Sequence, residues 1–210
     1  DDFRCGNGFR IHGGIHDVHD GRDSHDWYKY DSDYGLCKPP KSTPVDVKPV
    51  TPKQPPKTDN CGGFEGKKVY IVADNGLYLA RCYGCGSGSN PNSVTVHGRA
   101  GDGFAMWTLS SLDGKCILKS DIGQYAARCN GCWRGGKYPD SVFNHIKDPN
   151  GAPYAQWTVE KVGDKFGFKA DTGKYMARCY LCVPGLAKDN AATVHFDSAT
   201  GPALWNIQPV

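Results

Sequence analysis

Glutamate is nearly missing from this 210-residue chain: of its 22 acidic side chains only Glu65 and Glu160 are Glu. No recurring pair of carboxylates therefore stands out for acid and base work on a glycosidic bond. A phosphate-cradling glycine loop and a nucleophile elbow are also absent, so the chain is expected not to be an enzyme. No run of 18 apolar residues exists, which excludes a helical membrane span. No N-x-Ser/Thr sequon occurs, so N-glycosylation is not expected. Neither sign of charge dominates: 25 basic side chains against 22 acidic ones leave a formal net charge of +3. That balance gives no bulk attraction for nucleic acid. A sustained helical period is missing too, which turns attention to strands.

Cysteine, by contrast, is plentiful. There are ten, with 27 glycines and 14 prolines. Ten thiols in a reducing cytosol would need metal to hold them, and a secreted protein in an oxidising, extracellular setting is the simpler expectation. The opening Asp1-Asp2-Phe3-Arg4-Cys5 reads as a mature N-terminus left after cleavage. Three regions follow. Residues 1–37 form a small module rich in Cys, His and Asp, with four Lys/Arg against eight Asp. Residues 38–60 form a Pro/Lys/Thr-rich linker, which favours extended polyproline II geometry. Its Ser42, Thr43, Thr51 and Thr58 stand near prolines and are expected sites of O-glycans. Residues 61–210 carry sixteen basic against twelve acidic side chains.

The third region repeats itself over residues 66–112, 113–162 and 163–210. The landmark Ala73-Asp74-Asn75-Gly76-Leu77-Tyr78-Leu79-Ala80-Arg81-Cys82 returns as Ser120-Asp121-Ile122-Gly123-Gln124-Tyr125-Ala126-Ala127-Arg128-Cys129. It returns again as Ala170-Asp171-Thr172-Gly173-Lys174-Tyr175-Met176-Ala177-Arg178-Cys179. Each copy ends near a tryptophan: Trp107, Trp157 and Trp205. In the third copy residues 165–170 alternate, with Phe166 and Phe168 on one face, and Asp171-Thr172-Gly173 reads as a hairpin turn. Residues 175–179, 192–196 and 204–208 supply three more strands, with a Gly-Pro turn before the last. Four strands per copy make twelve. A unit with one apolar face cannot bury it alone, and three such units fit an all-β fold, a single β-trefoil: a closed barrel capped by three hairpins. The expected core is Val69, Ile71, Trp107, Leu109, Cys116, Leu118, Trp157, Val159, Phe166, Phe168, Trp205 and Ile207.

The Ala-Asp-x-Gly-x-Tyr-Leu-Ala pattern with its later Trp-Thr-Leu/Val resembles the repeat of fascin-like β-trefoils, the actin-crosslinking superfamily. The resemblance covers about 145 residues and implies the trefoil fold. This chain differs in having one trefoil rather than four, and in the Cys-x-x-Cys that follows each Arg. It reads as a secreted, cysteine-rich variant for which actin bundling is not implied.

Each copy holds Arg-Cys-x-x-Cys and a later His: Arg81, Cys82, Cys85 and His97; Arg128, Cys129, Cys132 and His145; Arg178, Cys179, Cys182 and His195. The spacing suits a small disulfide ring, three ligands of a zinc ion, or a redox dithiol. The repeated Arg either binds a polar ligand through its planar fork or bonds loop carbonyls. The His either packs under the loop or ligates. Divergent loops at residues 86–93, 133–141 and 183–191 bring in Tyr83, Trp133, Tyr138 and Tyr180, aromatics suited to stacking on sugar rings or to covering the barrel end. Cys5 and Cys37 bracket the first module and are expected to pair, which leaves Cys61 to pair with Cys116. In the first module His12, His16, His19 and His25 lie among six aspartates. Either the module is a solvated, disulfide-pinned unit, or it holds a divalent metal, expected first at His16 and His19 with Asp17 and Asp20.

Two functions are expected. One is a secreted, non-enzymatic, lectin-like protein that binds an extracellular glycan or polysaccharide through its trefoil loops, with Arg81, Arg128, Arg178 and the four aromatics as ligand contacts. The other is a structural subunit of an extracellular matrix, filament or adhesive, assembled from copies of itself and linked by metal through the first module.

Overall fold

The protein is described from a computed structural model, over residues 58–210. The expected Cys5–Cys37 pair, the His/Asp metal cluster and most of the linker lie outside these residues.

Twelve strands fall four to a repeat, as expected. The first repeat contributes β1 (Lys68–Val72), β2 (Tyr78–Tyr83), β3 (Asn92–Gly98) and β4 (Met106–Leu112). The second holds β5 (Lys115–Lys119), β6 (Tyr125–Asn130), β7 (Asp140–Ile146) and β8 (Thr158–Val162). The third holds β9 (Lys165–Lys169), β10 (Tyr175–Tyr180), β11 (Asn190–Phe196) and β12 (Asn206–Pro209). Where a Gly-Pro turn was expected before β12, the chain makes one turn of 3-10 helix, Gly201–Ala203, and equivalents stand at Gly103–Ala105 and Pro153–Ala155.

Six strands close on themselves. β1 pairs with β4, β4 with β5, β8 with β9, and β12 returns to β1. The remaining joints are made at tryptophans. Cys116 and Trp157 exchange two backbone bonds of 2.8 Å, and Phe166 and Trp205 exchange two of 2.9 Å. A ring of strands leaves no open edge to pair with another chain. The other six strands form three hairpins, β2–β3, β6–β7 and β10–β11. These join one another in rotation, Ser93 opposite Phe143, Ser141 opposite Thr193, and Ala191 opposite Thr95. The three joints use equivalent positions, so threefold repetition in sequence becomes threefold repetition in space.

The repeated turn explains its own residues. In Ala73-Asp74-Asn75-Gly76-Leu77, the Gly76 N–H donates to the Ala73 carbonyl at 3.0 Å, and the Ala73 N–H donates to the Leu77 carbonyl at 2.9 Å. Gly76 closes that turn at φ 79°, a left-handed conformation that glycine adopts without a Cβ clash. A register shift follows after Tyr78, Tyr125 and Tyr175, one β-bulge per repeat, which bends the strand and raises its twist locally.

Trp107, Trp157 and Trp205 are completely buried. Their indole N–H groups donate to the carbonyls of Leu79, Ala126 and Met176 at 2.9, 3.0 and 3.1 Å. Each tryptophan therefore fills the core and also bonds to the hairpin of its own repeat. The other expected core residues lie in the same cluster, except that Val159 is only half-buried and packs against its rim. Repeat two departs from the apolar pattern. Where the other copies place Ala73 with Val96 and Ala170 with Val194, it has Ser120 with Asn144. The buried Asn144 amide donates to the Ser120 hydroxyl at 2.8 Å, and that hydroxyl donates to the Gln124 carbonyl at 3.1 Å. Each of the two polar residues gives the other a partner, which offsets part of the cost of burying them, while the Asn144 side-chain oxygen has no hydrogen-bond partner among the described residues.

Candidate binding surface at the hairpin cap

Each Arg-Cys-x-x-Cys begins in the last residues of the first strand of its hairpin, β2, β6 or β10. All six cysteines are closed as disulfides within their own motif, with Cα–Cα separations of 5.7, 5.7 and 5.6 Å. The disulfide alternative is therefore the one the structure takes. No group of three His, Cys, Asp or Glu side chains placed to hold a metal is found among the described residues. Cys61 pairs with Cys116, as the sequence led us to expect.

The loops after the disulfides interlock. The Ser89 N–H donates to the Cys132 carbonyl at 2.9 Å, Lys137 to Cys182 at 2.8 Å, and Ala187 to Cys85 at 2.6 Å. Every disulfide thus pins a carbonyl that receives the loop of the preceding repeat. At the next position the three copies carry Gly86, Trp133 and Val183. Trp133 was expected either to contact a sugar or to cover the barrel end, and the structure overturns the first: the residue is 6% exposed and packs with Cys132, Phe143 and Val183. Its ring lies 4.9 Å from Phe143, in the space the loops enclose. A Cβ at Gly86 would come within 2.8 Å of that indole, so the glycine of one repeat makes room for the tryptophan of another. Tyr138 is half-buried and stacks on His195 with ring centroids 3.7 Å apart.

The three histidines support loops. His97 bonds Thr95 at 2.6 Å and stacks on Phe104, and His195 bonds Thr193 at 2.8 Å. His145 Nδ1 lies 3.2 Å from the Phe143 carbonyl. Burial first, and then Lys188 beside His97 and Lys137 beside His195, hold these two imidazoles below the ordinary histidine range.

Each repeated Arg reaches into the next repeat. Arg81 donates from Nε and Nη2 to both oxygens of Asp121, at 2.8 and 2.7 Å. Arg128 does the same to Asp171, at 2.6 and 2.8 Å, and Arg178 to Asp74, at 2.5 and 2.8 Å. The third nitrogen of each fork, Nη1, turns to Asn92, Asp140 or Asn190. The arginine side chains are only 16 to 19% exposed. Their guanidinium forks are thus occupied within the fold, so they are not free to serve as the ligand contacts expected from sequence. The sequence displayed both partners, the Asp of the turn and the Arg of the strand, but nothing local joined them.

This ring yields a prediction. The Arg hydrogen bonds hold Asp74, Asp121 and Asp171 below the ordinary carboxylate value of 3.8, against an opposing effect of burial. Carboxylates that lose protons more readily when folded stabilise the fold above pH 3.8, and that stability is lost as pH falls through the folded values. Acid unfolding is therefore expected to begin below about pH 4. Arg128→Ala is expected to cost about 2 kcal/mol at pH 7 and to flatten the acid limb. Urea titrations at pH 7 and pH 3 check both, and an equal cost at the two values would contradict the assignment.

Two aromatics stand clear of the cap. Tyr83 is 73% exposed and Tyr180 is 60% exposed. Each is the first residue between the cysteines of its motif, where repeat two has Asn130. The second residue is Gly84, Gly131 or Leu181, with φ of 66°, 68° and 54°. Leucine in the left-handed region costs about 1 kcal/mol, and Leu181 is also 64% exposed. Sequence reasoning passed over Leu181, although a leucine where two repeats hold glycine was a readable signal. Elsewhere, a shallow depression of about 370 Å³ lies between the barrel and the turn at Asp171, lined by Lys115, Gln156, Thr158 and Lys169. Both glutamates serve the fold. Glu65 accepts from the Ser111 N–H and hydroxyl, and Glu160 from Lys169 and Tyr175.

No protein-family model matches the chain, and no curated protein matches it. Solved structures do. The designed threefold-symmetric protein ThreeFoil is 19% identical, with a TM-score of 0.52, over 68% of this chain and 99% of its own. A salivary protein from Culex quiquefasciatus, of the Cysteine and Tryptophan-Rich family, is 16% identical at a TM-score of 0.52, over 70% of this chain and 96% of its own. Polyporus squamosus lectin, bound to the human-type influenza-binding epitope Neu5Aca2-6Galb1-4GlcNAc, is 12% identical at 0.52, over 69% of this chain and 49% of its own. At such identities the likeness is one of fold, and the fold these neighbours share with the described domain is the β-trefoil.

Proposed function

We propose that the domain is a non-enzymatic, lectin-like module that binds glycan through the exposed tyrosines of its hairpin cap, Tyr83 and Tyr180. One observation carries the reading: two large aromatic rings stand in solvent on turns closed by disulfides. A pyranose has an apolar face that stacks on such a ring, and a turn already rigid loses little entropy when it binds. The four disulfides among the described residues suit an oxidising compartment, where the glycan would be extracellular. The lectin among the fold neighbours lends the same reading a precedent on this scaffold. In this reading the repeated arginines act indirectly, by holding the three repeats together beneath the turns.

Two sites on one body give avidity for a repetitive polymer. Tyr83→Ala and Tyr180→Ala are each expected to weaken binding to an immobilised polysaccharide about tenfold, and the double variant to abolish retention, with thermal unfolding unchanged. A glycan array and a panel of polysaccharide resins that all fail to retain the unaltered domain would remove the proposal.

A further inference from the structure

The three cap turns share one frame and differ in what they present. Repeat two offers Asn130-Gly131, whose Asn130 amide donates to Asp140. Repeat one offers a bare ring, Tyr83 followed by Gly84. Repeat three offers a ring and an aliphatic side chain, Tyr180 followed by Leu181. Each frame is held by the same backbone bond. The N–H of Gly84, Gly131 or Leu181 donates to the carbonyl of Pro91, Pro139 or Asp189, at 2.8, 2.7 and 2.7 Å.

Leu181 is strained and serves no packing purpose, since most of its side chain lies in water. Asp113 is the other non-glycine residue with positive φ among the described residues. Aspartate enters the left-handed region readily because its short polar side chain bonds locally, whereas leucine has no such compensation. Glycine would relieve the turn, as it does in the two sister repeats. Strain retained at an exposed apolar side chain, next to an exposed aromatic one, points to a contact made outside the fold.

From this we infer that the Tyr180–Leu181 turn is a selective subsite for a 2-acetamido sugar, an N-acetylhexosamine unit within a glycan chain. The inference rests on the glycan-binding reading above. Tyr180 supplies the flat face for the pyranose. Leu181, one residue on and on the same rigid turn, supplies an aliphatic partner for the acetamide methyl group. The acetamide N–H needs an acceptor, and the exposed Asp189, whose backbone carbonyl holds the Leu181 N–H, carries one. The Tyr83–Gly84 turn has the stacking surface without the aliphatic partner. It takes a pyranose without regard to the substituent at its second carbon.

Chitohexaose and cellohexaose test this directly, because they differ only in carrying acetamide or hydroxyl at that carbon. Calorimetric titration of the unaltered protein is expected to give about tenfold tighter binding of chitohexaose, the scale on which an apolar pocket reads one methyl group. Leu181→Gly is expected to bring chitohexaose affinity down to that of cellohexaose while the melting temperature stays the same or rises. Tyr83→Ala is expected to weaken both sugars by the same factor and keep the ratio. Equal affinity of the unaltered protein for the two sugars, or an unchanged ratio in Leu181→Gly, overturns the inference and leaves the glycan-binding reading standing. Binding of neither sugar, nor of any polysaccharide on the resin panel, overturns both.

Discussion

Removing the Cys61–Cys116 bridge as the double variant Cys61→Ala/Cys116→Ala is expected to cost about 4 kcal/mol of unfolding free energy. The bond joins residues 55 apart, and both cysteines are completely buried. Closing a loop of that length restricts the unfolded chain strongly, and the restriction scales with the logarithm of the loop. Alanine is the right replacement because serine would leave two hydroxyls unpartnered in the core. The same reasoning gives an internal control. Opening one Cys-x-x-Cys ring, where the cysteines are three apart, is expected to cost only about 1.5 kcal/mol from loop entropy. Guanidinium titrations under non-reducing conditions compare the two. If opening Cys129–Cys132 costs as much as removing Cys61–Cys116, the long bridge does not act through chain entropy.

Trp157→Ala is expected to cost about 3–5 kcal/mol. The side chain is completely buried, so its removal leaves a cavity among close-packed neighbours that relax only in part. Its indole N–H also satisfies the Ala126 carbonyl. Trp157→Phe separates the two contributions, since phenylalanine keeps much of the volume and leaves that carbonyl unpartnered. The expected cost of that variant is about 1–3 kcal/mol. Trp107 and Trp205 hold the same relation to Leu79 and Met176, and their alanine variants are expected to fall in the same range. A Trp157→Phe variant as damaging as Trp157→Ala would mean that the hydrogen bond, and not the packing, dominates.

These tryptophans were legible in the sequence because their burial follows from a local pattern repeated three times. The same holds for Phe166 and Phe168, which alternate along one strand, and for the turns at Gly76, Gly123 and Gly173. Cys61–Cys116 was reached by elimination, once the short-spaced pairs had been set aside. What could not be read is what arises between repeats. Arg128 meets an aspartate 43 residues away, and no spacing rule connects them until three hairpins have closed around one another. Trp133 lies on a loop by sequence, and it is buried because loops from three repeats converge on it. A leucine at positive φ is likewise invisible in composition, although Gly84 and Gly131 at the equivalent places marked the conformation.

The bidentate ion pairs run in one direction, from repeat one to two, from two to three, and from Arg178 back to Asp74 across 104 residues. Such a cycle counts. A lone repeat would carry one donor fork and one acceptor carboxylate that do not bond each other, and a pair of repeats would still leave one of each unmatched. Three is the number at which every fork finds its carboxylate, whether the repeats come on one chain or as separate copies. The stoichiometry of the fold is thus written into one arginine and one aspartate per repeat.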